Sequence, residues 1–294
     1  MKKISGAQVV HKNIIKKIFI LLFFLFLLFL FSRDFSYEIE QIVKKGYLDI
    51  AMYKGELIPF FMDDKKGNII GEDVKIAEKI AKALGVTLRF KKTAESFDAV
   101  VDMVAKGEAD IGISHLSATL DRAKKVNFTK PYLLLNQGLL VNRFQFSKLK
   151  KKGTILEKLN DNSVRIAFLE NSAFFSFEQN LFPNAQKMSF PTREKIYQAI
   201  KKGKVVAAIV DEVLLKTFSI IHPEDVLLIE SVIIKDKHDY IAIAIPLKWT
   251  HFLNWMNMFL DRQVGEIDVD DVLKDYYSFL KKTKNVEKIK QAKE

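Results

Sequence analysis

The chain of 294 residues contains no cysteine. That absence excludes disulfides, thiolate metal sites and cysteine nucleophiles together, and with them lipid attachment through an N-terminal cysteine. The five histidines, at 11, 115, 222, 238 and 251, show no metal-ligand spacing. G-x-S-x-G, H-E-x-x-H, the P-loop and G-x-G-x-x-G are all missing, so no enzymatic signature, cofactor or metal is expected. A basic groove for nucleic acid is also absent, although the formal charge is +11. Residues 1–36 carry a net +5 and residues 281–294 a net +4, which leaves about +2 for residues 37–280. The body is therefore nearly neutral between basic ends, and no nucleic-acid partner is expected.

What is present begins with an address. Lysines precede Ile18–Phe31, an unbroken run of Ile, Leu and Phe. A positive flank followed by an apolar core has the layout of a secretory signal or signal anchor. At roughly 1.5 Å per residue the run covers a little over 20 Å, short of the roughly 30 Å hydrocarbon core, which favours a cleaved signal. Neither Ser32 nor Ser36 has a small residue three positions earlier, which favours a retained anchor over residues 14–35. Either way the body is expected outside the cytoplasm, in the periplasm or at the outer face of the inner membrane.

Beyond the leader, strand and helix patterns alternate. Tyr47–Tyr53 alternates as a strand, and Asp73–Leu84 carries a helical apolar stripe closed by Gly85. Val86–Phe90 reads as a strand, Phe97–Lys106 as a helix ended by Gly107, and Asp110–Ser114 as a buried strand. The plan returns with strand Val164–Phe168, helix Arg193–Lys202 stopped by Gly203, and strand Val205–Val210 ending at Asp211. Thr250–Val264 and Val269–Thr283 read as terminal helices. This order implies two α/β lobes with mainly parallel sheets, and such sheets bind ligands beyond the carboxyl ends of their strands.

Two such ends carry polar residues. His115–Ala118 reads as a polar turn, Thr119 as a helix N-cap, and Arg122 as a first-turn residue of the following helix. A guanidinium beside unpaired helix N–H groups forms a receptor for a carboxylate. The alternative is an exposed arginine paired with Asp121 or solvent. Asp211 is the second such residue, and capping a helix that begins at Glu212 is its alternative role.

Gly71–Val86 (GEDVKIAEKIAKALGV), followed by S-A-T-x-x-R-A-K-K-V-x-F-T-x-P-Y within Gly107–Tyr132, resembles the extracytoplasmic solute-binding proteins of polar amino-acid ABC transporters, bacterial family 3. The resemblance runs from about Tyr47 to about Leu260. It implies a type II periplasmic-binding-protein-like fold: two α/β lobes joined by two hinge strands and closing over a ligand. The crossings would fall near Asn136–Leu140 and Ile234–Tyr240. Lobe 1 would comprise residues 37–137 and 236–294, and lobe 2 residues 138–235.

The resemblance also implies a function. The chain would bind an amino acid or related carboxylate, as a monomer, and deliver it to an ABC transporter permease. Arg122, helped by Ser117 and Thr119, would grip the ligand α-carboxylate, and Asp211 would accept from its α-ammonium. Departures from the family pattern concern the side-chain pocket. Lys54 stands where relatives carry an acid, Glu72 where an aromatic covers the ligand, His115 where glycine is frequent, and Asn171 and Ser172 where Gly-Thr is common. Lys54 with His115 could receive an acidic ligand side chain, or Lys54 could be neutralised by Glu72. Two other readings share the fold: a periplasmic dehydratase acting on cyclic hydroxy acids, and a membrane-anchored sensory receptor.

Overall fold

The computed structural model describes residues 37–278, except 65, 175, 176, 178–180, 266 and 275. The apolar run at 18–31, its flanks over 14–35 and the basic segment 281–294 lie outside the described residues. Among those described, no helix is long and apolar enough to cross a membrane.

The first half opens with helix α1 (Tyr37–Lys45) and strand β1 (Tyr47–Tyr53). A short hairpin, β2 (Met62–Asp63) and β3 (Ile69–Ile70), leads into helix α2 (Glu72–Leu84). The stripe expected on α2 is its buried face: Val74, Ile76, Ala77, Ile80, Ala81 and Leu84. Gly85 stops the helix at φ 70°, a conformation that costs a residue without Cβ little. Strand β4 (Thr87–Ala94), helix α3 (Phe97–Ala105), strand β5 (Ile111–Ser117), the single-turn helix α4 (Leu120–Ala123) and strand β6 (Val126–Phe128) follow.

The second half lies between two long strands. After β7 (Leu133–Asn142) come the short helices α5 (Arg143–Ser147) and α6 (Ile155–Leu159), then strands β8 (Arg165–Leu169) and β9 (Gln186–Phe190). Helix α7 (Arg193–Lys201), strand β10 (Ala207–Asp211) and helix α8 (Glu212–Ile221) complete it. The chain returns through β11 (Ile229–Pro246), 18 residues long. It ends in helix α9 (Thr250–Phe259), a wider turn over Leu260–Val264, and further helix over 269–274.

Two separate sheets were expected, but hydrogen bonding joins them into one nine-stranded ladder, β4-β1-β5-β11-β7-β10-β8-β9, with β6 against β11. The reason is that β7 and β11 run through both halves. β1 pairs in parallel with β4 and β5, and β8 with β9 and β10, whereas every pairing of β7 and β11 is antiparallel. The β7–β11 register breaks between Ile233 and His238, so that residues 234–237 stand opposite Gln137 alone. Each half has its own apolar core. Ile50, Ile76, Ile80, Ile111, Tyr132 and Phe252 belong to the first, while Ile196 and Phe218 pack on one face of the second and Leu159, Ile166 and Phe182 on the other. The fold class is the expected two-lobed α/β arrangement.

One local expectation is corrected. The polar turn placed at His115–Ala118 is strand as far as Ser117, fully buried along its length. Leu116 and Ser117 pair with Ala242 and Ile241 of β11, and the Ala118 N–H donates to the Tyr240 carbonyl at 2.8 Å. A partner more than 120 residues away overrides the local turn preference of Ser117, while His115 keeps a left-handed φ at the irregularity of that ladder.

Candidate functional site

Arg122 follows directly from the end of β5. Thr119 caps α4, its hydroxyl accepting from the Arg122 N–H at 3.3 Å, as expected. The helix has only four residues, so its dipole adds little, and the guanidinium itself is the main positive group. Arg122 is 6% exposed. Its Nε donates to Asp98 Oδ1 at 2.8 Å and its Nη1 to the Ser117 carbonyl at 3.1 Å. Its Nη2 is buried with no hydrogen-bond partner among the described residues. Unpaired buried donors cost free energy, so a group left in that state marks a place to look for a ligand.

Arg122 lines a cavity whose walls come from both halves. Asp98, Thr119 and Asp121 form one side, and Phe168, Glu170, Asn171, Ser172 and Ser189 the other. A second cavity adjoins it through Glu170 and Asn171, with Tyr53, Leu57, Glu95 and Phe97 facing Thr192 and Arg193. Of the expected site residues, Arg122, Thr119, Asn171 and Ser172 are thus brought together. Asn171 takes φ 51°, and the Ser172 hydroxyl donates to the Leu169 carbonyl at 2.6 Å.

Asp211 ends β10 and does cap the helix after it. Its Oδ1 accepts from the Leu214 N–H at 2.8 Å, and its Oδ2 accepts from Arg193 Nη2 at 3.2 Å. Both oxygens are engaged, the second by an arginine to which sequence reasoning assigned no role. Arg193 and Asp211 together lie near enough to His115, on the opposite half, to act on its ionisation.

His115 sits at φ 50°, in the left-handed region where a non-glycine side chain is strained. Its ring lies against Phe60, with centroids 3.8 Å apart, and its Nδ1 is buried without a partner among the described residues. Its N–H donates to Asp73 Oδ2 at 2.6 Å, and the Tyr132 hydroxyl donates to Asp73 Oδ1 at 2.7 Å. Burial, reinforced by the nearby Arg193 charge, pushes the His115 imidazole down to about 4, and Asp211 opposes the shift. Burial likewise raises Asp73 to about 7 against the two hydrogen bonds it accepts.

The unfolded chain binds a proton at His115 below its ordinary value near 6.5, whereas the folded chain does so only near 4. Its contribution is therefore present above pH 6.5 and lost as pH falls towards 4. Asparagine tolerates the left-handed conformation, so His115→Asn is the matched variant. Between pH 7 and 4.5 the wild type is expected to lose roughly 2–3 kcal/mol more stability than the variant. Urea denaturation of both at the two pH values measures it, and equal losses would contradict it.

The remaining expected residues are placed differently. Lys54 forms an ion pair with Glu95, because its N–H donates to the Ala94 carbonyl at the end of β4 and so brings it beside that acid. Glu72 pairs with Lys75, three residues along α2, at 3.0 Å. Lys54 is therefore neither neutralised by Glu72 nor joined to His115, and neither Lys54 nor Glu72 lines the two cavities. The Ser117 hydroxyl donates to Asp239 Oδ2 at 2.8 Å. Asp239 is a buried residue of β11 that sequence reasoning missed; it lies in the run Lys235–His238–Tyr240, which reads locally as solvated charge. Burial raises its carboxyl to about 7, with Ser117 and Arg122 opposing and Asp211 reinforcing the rise. Among the described residues no cluster of His, Asp and Glu could hold a metal ion.

The model of the bacterial extracellular solute-binding proteins, family 3, matches residues 50–278. The chain belongs to that family. An arginine-binding periplasmic protein of Mannheimia haemolytica is 31% identical over 106 residues, 36% of this family member and 44% of the relative. A cyclohexadienyl dehydratase of Pseudomonas aeruginosa is 24% identical over 187 residues, 64% of this chain and 67% of that one. Among solved structures, an amino acid ABC transporter substrate-binding protein of Streptococcus pneumoniae bound to L-arginine superposes with a TM-score of 0.64 at 25% identity, over 81% of this chain and 98% of that chain. The aligned stretch spans under half the length of several curated relatives, 42% to 44%.

Proposed function

We propose that this family member binds an amino acid outside the cytoplasm, in the cleft between its two halves, and delivers it to an ABC transporter permease. The observation that carries the reading is Arg122: buried in a cavity walled by both halves, with Nη2 free of partners among the described residues. Arg122 takes the ligand α-carboxylate with Ser117 and Thr119 beside it, and Asp211 takes the α-ammonium from the other half, Arg193 yielding part of its hold. Lobe 1 comprises residues 37–137 and 236–294, lobe 2 residues 138–235. The halves close about β7 and β11, where the register break at Ile233 and His238 supports a bend.

The ligand side chain is basic. The cavity next to Arg122 is lined by Glu56, Glu95 and Glu170 against Arg193, and Lys54 is already held by Glu95. An acid-lined, partly closed cleft favours a cation and disfavours the acidic side chain that Lys54 and His115 suggested. The arginine-bound structural relative agrees in ligand charge. A thermal-shift panel of the twenty amino acids on the full chain tests this. Basic amino acids should raise the melting temperature most and acidic ones least; the reverse order, or no shift from any, would contradict it.

The dehydratase relative favours a second reading, an enzyme on the same fold. Turnover of prephenate by the purified chain would establish it, and the binding reading predicts none.

A further inference from the structure

Asp239 lies on β11 one residue beyond the register break and is 5% exposed. Its Oδ2 accepts the Ser117 hydroxyl hydrogen at 2.8 Å, so it holds the donor that a ligand carboxylate at Arg122 would use. The charged groups facing it are Arg122 from α4 and Asp211 from the end of β10. From β7, its register partner Leu135 is uncharged, and Gln137 gives its amide to the His238 carbonyl at 3.3 Å. Asp98 on Arg122 and Arg193 on Asp211 complete the charged surroundings. His115, two residues before Ser117 on β5, is buried and neutral above about pH 4. When Asp239 is ionised, its carboxylate and an incoming ligand carboxylate compete for the one Ser117 hydroxyl hydrogen and repel each other across it.

We propose that Asp239 is a specificity-determining residue of the cleft, which admits a carboxylate ligand only together with a proton taken up by Asp239. Once protonated, its carboxyl O–H donates to Ser117 Oγ, and the Ser117 hydrogen turns towards the ligand. The ligand carboxylate then meets a neutral Asp239 and a free Ser117 hydrogen, while its α-ammonium faces Asp211. This rests on the reading of Arg122 as the carboxylate receptor. Burial keeps the Asp239 carboxyl near 7, which places the coupling in the physiological range.

Titration calorimetry of the full chain with the twenty L-amino acids, at pH 6 to 8.5 and in buffers of different ionisation enthalpy, tests it. For the tightest ligand, wild-type affinity should be flat below pH 7 and fall about tenfold per pH unit above it. Close to one proton should be taken up per ligand at pH 8.5, a wild-type measurement that stands without any variant. Asp239→Asn should bind with no such pH dependence and roughly thirtyfold more tightly than wild type at pH 8.5. Wild-type binding without proton uptake, or weaker binding by Asp239→Asn at every pH, overturns the inference while leaving the amino-acid reading intact. No binding by wild type at any pH overturns both.

Discussion

Arg122→Ala is expected to weaken amino-acid binding by about a hundredfold or more while leaving the fold in place. Removing one partner of a buried, hydrogen-bonded charge pair costs about 2–5 kcal/mol of binding, and about 2.7 kcal/mol is a factor of a hundred. The folding cost is much smaller. Asp98, the partner left behind, is half exposed at 52% and can be solvated where it stands. Arg122→Lys should fall between the two. It keeps the charge but cannot reach Asp98, the Ser117 carbonyl and a ligand oxygen at once, because a point-like ammonium replaces a planar fork. Equilibrium dialysis with labelled L-arginine, alongside circular dichroism melts, separates the two effects. An alanine variant that bound like wild type would remove Arg122 from the site. One that failed to fold would show it to be a structural residue.

Gly71→Ala should be the most damaging small change in the fold, costing about 4 kcal/mol and lowering the melting temperature by about 10 °C. Gly71 stands before α2 at φ 135°, a conformation an L side chain rarely adopts. A Cβ there would lie 2.2 Å from the Phe60 carbonyl oxygen and 2.8 Å from that of Pro59, and backbone atoms cannot swing aside. Those carbonyls accept the Asp73 and Glu72 N–H groups at 3.0 and 3.3 Å, which ties the first loop to the start of α2. Moving that loop shifts Phe60 from the His115 ring and disturbs the buried contacts of Asp73 with Tyr132 and the His115 N–H. The damage therefore spreads from a helix start to the cleft. Differential scanning calorimetry of the variant measures it, and a melting temperature within 2 °C of wild type would show that the loop yields more easily than this packing implies.

Much of the fold was legible because its signals are local. The stripe on α2, the glycine stops after it and after α3 and α7, and the Thr119 cap each depend on residues within one or two turns. Asp211 was legible as a strand end that caps the next helix, since the two are written side by side. What could not be read depends on contacts across long sequence distances. Ser117 looks like a turn residue until β11 arrives to pair with it and with Leu116, leaving His115 at the irregularity in that ladder. Asp98 becomes the partner of Arg122 only when α3 packs beside α4, 24 residues on. Asp239 sits in a charged run whose burial depends on β5 and β7 enclosing it, so no local pattern marks it out. The Lys54–Glu72 pairing, one of two alternatives the sequence leaves open, is not formed: each residue meets a nearer opposite charge.

Isothermal titration of the full chain with each of the twenty L-amino acids most directly tests whether this cleft is an amino-acid site. One site per chain with a dissociation constant at or below roughly 10 μM for a basic amino acid, abolished in Arg122→Ala, is the predicted result. Saturation by none of the twenty at roughly millimolar concentration, or equal binding by wild type and Arg122→Ala, would contradict it.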